Sequence, residues 1–524
     1  MKKIKRIVCI VIIVAPVTAQ DSVQAARQKA GSKPAQQITV SIDTTASSKP
    51  YSPLIFGGLI EHFGRQVYGG IFETGSPLSD KKGFRKDVIA ALKEMKVSVI
   101  RWPGGCFASG YHWKDGVGKD RKPVPDPVWG VTDPNTFGTD EFIEWCRLVR
   151  CEPYICANAN RKPEEMKQWL EYCNATEGEY AEKRKANGHE EPFNVKFWSI
   201  GNENYGFWEI GKYSPDSWGR RVKECADIML SANLDIKLVA PVWRPKGEWY
   251  RPVLGAAGDD VDYIGVHQYW IRTDKETPYR KCIGYPERSL SDVIRLLEET
   301  GYRGKVKIAF DEWNLRGWYH PHFPRKSPVK PDDEKAAESI AARKLNDVAK
   351  QYTMMDAIFN ACFLNACLRH CEDVGMANMA PTVNTRGPLY VHPKGIVKRT
   401  SFYALKMYAN DLEERVAPLE IDQPGELKKA NEKIDAIATV DKAGKRWAIA
   451  LVNRDPLQAV ACTVKLGDQF PDGMYDATVL AGDSPEAFND IEHPDRVVPG
   501  NTKVEFKKGV VNLPPHSLTI VRIL

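Results

Sequence analysis

Beyond its first nineteen residues, this 524-residue chain has no apolar stretch of the roughly 20 residues that a membrane-spanning helix needs. It also lacks a surplus of one charge. The formal net charge is +6, from 74 Lys and Arg against 68 Asp and Glu. Four of those bases, Lys2, Lys3, Lys5 and Arg6, crowd the N-terminus, and setting residues 1–19 aside leaves 70 bases against 68 acids, near +2. That balance excludes nucleic acid as an expected partner. Metal-type spacing is missing too. Cys146, Cys151 and Cys156 stand five apart, and Cys362, Cys367 and Cys371 fall on an apolar helical stretch, where small buried thiols are the expectation. With no clustered His or Cys ligands and no phosphate-binding glycine loop, neither a metal nor an organic cofactor is expected. No internal repeat or low-complexity tract stands out.

What is present begins with an export signature. The basic start is followed by an apolar stretch, Ile7 to Val14, too short to cross a bilayer, and by the small-residue segment Val17-Thr18-Ala19. Residues 1–19 are expected to be a signal peptide and the protein to be periplasmic or extracellular. Residues 20–37, rich in Gln, Ala, Lys and Ser, read as a flexible leader. Loss of Cys9 with the signal leaves eleven cysteines, so at least one has no intramolecular disulfide partner.

The remainder is too long for one small core, and two domains are expected. From about 50 to 400, eight apolar strand-like runs alternate with amphipathic helical stretches. The runs are Leu54–Glu61, Val97–Pro103, Pro153–Asn158, Val195–Glu203, Ile236–Val242, Tyr263–Tyr269, Val306–Glu312 and Val374–Thr382. The helical stretches are Lys86–Met95, Thr139–Val149, Pro163–Tyr172, Ser217–Leu230, Leu290–Thr300 and Ala336–Cys371. Continuous apolar strands between such helices imply parallel strands buried on both faces, and eight units fit a closed (β/α)8 TIM barrel. From 401 to 524 the pattern changes to short turn-bounded runs, which predict an antiparallel β-sandwich joined by a strand from 37–49. The predicted fold class is therefore α/β: a (β/α)8 barrel with a C-terminal antiparallel β-sandwich.

The active site of a barrel lies where its strands end, and polar residues collect there: Glu61, Arg101, Asn158, Glu203, His267, Tyr269 and Glu312. Two of them matter most. Glu203 closes Phe197-Trp198-Ser199-Ile200-Gly201-Asn202-Glu203, and Glu312 closes Ile308-Ala309-Phe310-Asp311-Glu312, on strands roughly opposite across a small barrel. A buried carboxylate costs several kcal/mol without partners. Two of them facing across a cleft is the arrangement that cleaves a glycosidic bond, with carboxyls about 5–5.5 Å apart in a retaining enzyme. In that scheme Arg101 keeps Glu312 ionised, and the charge of Glu312 raises the pKa of Glu203 so that it starts protonated.

Five motifs in order sharpen the reading: Gly58-Leu59-Ile60-Glu61-His62-Phe63-Gly64-Arg65, Ile100-Arg101-Trp102-Pro103-Gly104-Gly105, Gly201-Asn202-Glu203, His267-Gln268-Tyr269 and Phe310-Asp311-Glu312-Trp313-Asn314. Together they resemble glycoside hydrolase family 51, whose main activity is α-L-arabinofuranosidase. The resemblance runs from about residue 40 to Leu513-Pro514-Pro515-His516-Ser517. It implies Glu203 as general acid/base, Glu312 as nucleophile, Glu61 as a binder of sugar hydroxyls, Tyr269 beside the nucleophile, Arg101 in support of it and Asn202 on the 2-hydroxyl. His267 is placed among the substrate-binding residues as an orienting group without a proton-transfer role. Cys106 stands where the family commonly has a sugar-contacting Asn, Asn158-Ala159-Asn160-Arg161 replaces the usual third-strand ending, Pro381 replaces a glutamine, and Trp318 is the candidate aromatic on the leaving-group side. The implied substrate is a plant cell-wall polysaccharide or oligosaccharide carrying terminal arabinofuranose; a homo-oligomer is admitted. Two other readings stay open here: an endo-acting glycanase of the same fold, and a non-catalytic carbohydrate-binding protein.

Overall fold

The computed structural model describes residues 38–524 apart from 131, 233, 244, 272–281, 318–351 and 424–431. The expected signal peptide, leader and Trp318 lie outside the described residues.

The eight runs all form strands, and they close into one parallel barrel in sequence order. They are β1 (Gly57–Leu59), β2 (Val99–Trp102), β3 (Glu152–Ala157), β4 (Phe197–Ile200), β5 (Lys237–Val242), β6 (Tyr263–Ile271), β7 (Lys307–Arg316) and β8 (Val374–Met379). Helices Lys86–Met95 and Thr139–Val149 have the predicted bounds, and Met354–Arg369 is the described part of the long stretch placed at 336–371. Strand ends differ from expectation in a way that shapes the site. β4 stops at Ile200, three residues before Glu203, whereas β7 runs through Glu312 to Arg316.

Side chains of period two line the barrel interior in layers. Val99, Tyr154, Phe197, Val239, Ala309 and Met376 make a buried apolar layer. Two residues further along their strands stand Arg101, Cys156, Ser199, Asp311 and Asn378, all buried. An apolar plug thus carries a polar floor, and the site is built on that floor. The register shifts between Gly265 and His267 on β6, which sets His267 opposite Glu312; β7 shifts against β8 between Phe310 and Trp313. Bulges of this kind re-aim side chains beside active sites.

The sandwich draws strands from both ends of the described chain. Its seven-stranded antiparallel sheet runs Lys49–Pro50, Arg415–Ala417, Ile434–Val440, Trp447–Asn453, Ser517–Ile523, Gly473–Ala481 and Gly500–Phe506. The facing sheet runs Leu419–Asp422, Ile38–Ile42, Val460–Leu466 and Val510–Leu513. One pairing departs from the antiparallel expectation: Ile38–Ile42 lies parallel to Val460–Leu466, because it enters from the chain's other end. Ile449 and Leu451 point into the sandwich core, while Ala448, Ala450 and Val452 join the barrel's core. The sheet is therefore buried on both faces, which explains its nearly continuous apolar strands. All eleven described cysteines are free thiols.

On β7, Trp313 stacks on Phe363 of helix Met354–Arg369 at 3.7 Å and 14°. Phe363 is fully buried and also meets Phe310 edge-on at 5.1 Å. Phe363→Ala should cost about 3–5 kcal/mol of stability, the usual range for a buried Phe truncation. Denaturant unfolding checks this, and a loss below about 1 kcal/mol would show that the ring is not sealed in the core.

Candidate active site

The site grows from Arg101. Its side chain is fully buried between β1 and β3 and spends its donors on the groups around it. Nη1 donates to Glu312 Oε1 at 2.7 Å, and Nη2 donates to Asn202 Oδ1 at 2.8 Å and to Cys156 Sγ at 3.3 Å. Nε lies 3.3 Å from Asp311 Oδ2. Asp311 also accepts from Tyr154 Oη at 3.1 Å and from Asn378 Nδ2 at 3.0 Å. Arg101 and His267 hold its carboxyl below the usual range against burial, the largest influence, which pushes the other way.

Glu312 is buried, and its second oxygen accepts from Tyr269 Oη at 2.8 Å. Glu203 reaches the same space from a tight turn: Gly201 has φ +75° and Glu203 itself φ +42°. A left-handed Glu is uncommon and strained, and such residues cluster at functional sites. Its Oε2 accepts from Trp208 Nε1 at 2.5 Å and its Oε1 from Tyr205 Oη at 3.3 Å. His267 Nδ1 stands 3.1 Å from Glu203 Oε1 and 3.5 Å from Glu312 Oε1, and its Nε2 3.4 Å from Asp311 Oδ2. One oxygen of Glu203, one oxygen of Glu312 and a nitrogen of His267 all lie within 4.8 Å of one another.

These contacts correct the expected proton distribution. Burial opposes charge on His267, but Glu312, Asp311 and Glu203 overcome it and push the imidazole up to about 10. Burial likewise raises Glu203, yet the His267 hydrogen bond and charge outweigh it, and the carboxyl sits below its ordinary value rather than above. Glu312 sits above its ordinary value: burial and the charge of Glu203 exceed what His267 and Arg101 give back. The two carboxyls are thus shifted in the order opposite to the expected one. Donor atoms of Cys106, Glu203 and Glu209 also lie within 4.8 Å of one another, the second cluster of metal-ligand type besides Glu203, His267 and Glu312.

Glu61 is fully buried beneath Gly104 and Gly105, where an added Cβ would lie 2.5 Å from its Cγ and 2.7 Å from its Oε2 respectively. The glycine pair thus lets backbone close over the carboxyl. Oε1 accepts from the Phe107 N–H and from Trp129 Nε1, both at 2.7 Å; Oε2 has no partner among the described residues. Burial raises its pKa well above the ordinary value. His62 does not pair with Glu61. It bonds Asp133 and accepts from Trp102 Nε1 at 2.8 Å. Cys106 lies in the site, its sulfur 3.8 Å from Asn202 Nδ2.

The structure therefore brings Glu61, Arg101, Cys106, Asn202, Glu203, His267, Tyr269 and Glu312 together. Sequence reasoning missed Tyr205, Trp208, Glu209 and Asp311. The first three sit in the loop after Glu203, where no periodicity marks direction. Asp311 was masked by its neighbour, since period two sends adjacent residues to opposite faces.

Comparison with known proteins agrees with this geometry. Residues 91–281 match the family model for the α-L-arabinofuranosidase 1 domain, and 311–517 that for the α-L-arabinofuranosidase C-terminal domain. α-L-Arabinofuranosidase C of Emericella nidulans is 31% identical over 92% of this chain and 97% of that protein. The chain belongs to glycoside hydrolase family 51. This arabinofuranosidase is also similar to the exo-α-(1→6)-L-arabinofuranosidase of Bifidobacterium longum, at 31% identity over 92% and 96% of the two chains. The crystal structure of the Thermotoga maritima α-L-arabinofuranosidase in its arabinose complex superposes with a TM-score of 0.81, at 32% identity, covering 93% of this chain and all of that one.

His267 yields a stability prediction. Its folded pKa is raised above the unfolded value near 6.5, so its stabilising contribution is fully present below pH 6.5 and fades as pH rises toward 10. Wild-type melting temperature should fall over that window more steeply than that of His267→Gln. Parallel curves from pH 6 to 10 would show that the imidazole does not stay protonated.

Proposed function

We propose that this enzyme is an exo-acting, retaining arabinofuranosidase that removes terminal α-L-arabinofuranosyl residues from arabinan- and arabinoxylan-type polysaccharides or oligosaccharides of plant cell walls. The observation that carries the reading is the approach of a Glu203 oxygen and a Glu312 oxygen to within 4.8 Å. Inverting enzymes need about 6.5–9.5 Å between carboxyls to seat a water, whereas direct attack by a carboxylate needs the shorter spacing. The names of the relatives supply the sugar and the exo action.

In this reading Glu312 attacks the anomeric carbon while Glu203 gives its proton to the departing glycosidic oxygen. Glu203 then takes a proton from water as that water displaces Glu312 from the same carbon, and two displacements restore the configuration. Arg101 and Tyr269 hold the two oxygens of Glu312 in line, and Trp208 holds Glu203. The cycle requires a proton on Glu203, whereas His267 favours its ionised form. His267 Nδ1 faces both carboxylates at 3.1 and 3.5 Å, so it can pass its proton to Glu203 and take one from Glu312. The positive charge that develops at the anomeric carbon favours ionised Glu312. Glu61 Oε2, buried and unpartnered, suits a sugar hydroxyl. The basic start and short apolar stretch support export to periplasm or medium.

Glu312→Ala should lower activity on every substrate by several orders of magnitude. Glu203→Ala should keep its first step on a nitrophenyl arabinofuranoside, accumulate glycosyl-enzyme in a burst, and regain turnover with azide. Proton NMR of the first-formed sugar should show the substrate's anomeric configuration; an inverted product would remove Glu312 from the nucleophile role. Carboxymethyl cellulose as the best substrate would replace this reading with the endo-acting one. N-terminal sequencing of exported protein should begin near Gln20, and a cytosolic chain beginning at Met1 would overturn the export proposal.

A further inference from the structure

The two-glutamate scheme leaves Glu209 unused. It lies in the loop after β4 and is only 6% exposed. Its Oε1 accepts from Asn202 Nδ2 at 2.9 Å. The orientation of that amide is not ambiguous. Arg101 carries only donors, so the atom of Asn202 facing Arg101 Nη2 at 2.8 Å must be the oxygen. The amide is therefore clamped at both ends, oxygen on Arg101 and nitrogen on Glu209, with its second N–H left over. Cys106 Sγ, 3.8 Å from the same nitrogen, is too weak an acceptor to compete. The other oxygen of Glu209, Oε2, is buried without a hydrogen-bond partner among the described residues, as is the hydroxyl of neighbouring Ser109.

We propose that Glu209 is a positioning residue for the reaction: it fixes the plane of the Asn202 amide so that the remaining N–H meets the 2-hydroxyl of the arabinofuranosyl ring. This rests on the proposed function above, in which Asn202 serves that hydroxyl. Contacts to the 2-hydroxyl strengthen in the transition state of glycoside hydrolysis, so an amide held by two groups contributes more than one free to rotate. Glu209 does this best as a neutral acid. The groups facing it are the Cys106 thiol, the Ser109 hydroxyl and the carboxyls of Glu203 and Glu61, with no cation among them. Burial, ahead of the charge of Glu203, pushes its pKa up to about 8. Above that pH the carboxylate would draw the amide hydrogens toward itself and away from the sugar.

The test compares Glu209→Gln and Glu209→Ala with wild type on nitrophenyl α-L-arabinofuranoside and on its 2-deoxy analogue. Glutamine keeps a carbonyl for Asn202 Nδ2 but cannot ionise; alanine provides nothing. Glu209→Ala should lose about 10- to 100-fold in kcat/KM on the full substrate and less than about threefold on the 2-deoxy analogue, the loss expected when a hydrogen-bonded positioning contact disappears. Glu209→Gln should retain wild-type kcat/KM at pH 6 and lack the inflection near pH 8 that the wild-type profile carries. Equal losses on both substrates, or no loss from Glu209→Ala, would overturn the inference. If Glu209→Ala does not fold, superimposable pH profiles for wild type and Glu209→Gln would overturn it. Should Asn202→Ala act equally well on both substrates, the assignment of Asn202 to the 2-hydroxyl fails instead, a result separate from any outcome at Glu209.

Discussion

The buried guanidinium of Arg101 is the point from which the site is organised. An arginine in the middle of a barrel is costly unless every face of its fork meets an acceptor. Here Glu312 and Asp311, neighbours on β7, and Asn202, in the loop after β4, take up that role. Two of those contacts set the nucleophile candidate and the amide that stands beside the acid. The third reaches Asp311, which in turn collects Tyr154 and Asn378. Removing the guanidinium would take one of two counter-charges from both Asp311 and Glu312 and leave His267 to offset them, so the loss would spread through the polar floor of the barrel.

Five carboxyls, Glu61, Glu203, Glu209, Asp311 and Glu312, surround two cations, Arg101 and His267. They cannot all be ionised in a site so poor in water. Asp311 and Glu203, bonded to His267 or Arg101, fall below the ordinary value; Glu61 and Glu209, with no cation among their partners, rise above it; Glu312 rises despite Arg101 and His267, because burial and the charge of Glu203 outweigh them. Ionisation is thus unevenly shared among the five: burial favours the neutral form most at Glu61 and Glu209.

Much of this was legible in the sequence. Eight apolar runs alternating with amphipathic helices imply parallel strands buried on both faces, and eight such units fit a closed barrel. Arg101, Glu203, Tyr269 and Glu312 were legible because barrel chemistry collects at strand ends. Glu209 and Trp208 were not, since loop conformation depends on glycine torsions such as that of Gly201 rather than on pattern. The proton directions were not legible either: Glu203 against Glu312 alone predicts one order, and His267 between them reverses it. That reversal needs the extra β7 residue between Ala309 and Glu312 that brings Glu312 level with His267, and a bulge leaves little trace in composition.

The strand Ile38–Ile42 sits in the sandwich between Leu419–Asp422 and Val460–Leu466, strands made only after the whole barrel. During synthesis this strand therefore has no partner until residues 419–466 appear. The barrel can close behind it, yet the sandwich cannot nucleate, and an unpaired apolar strand is a template for association with other chains. Its shortness, five residues, keeps that exposure small. A clip joining the two chain ends also means that the sandwich is completed last, and that its completion ties the start of the barrel to its finish. The C-terminal domain thus serves the catalytic one as a lock on assembly, although it contributes no residue to the carboxylate cluster.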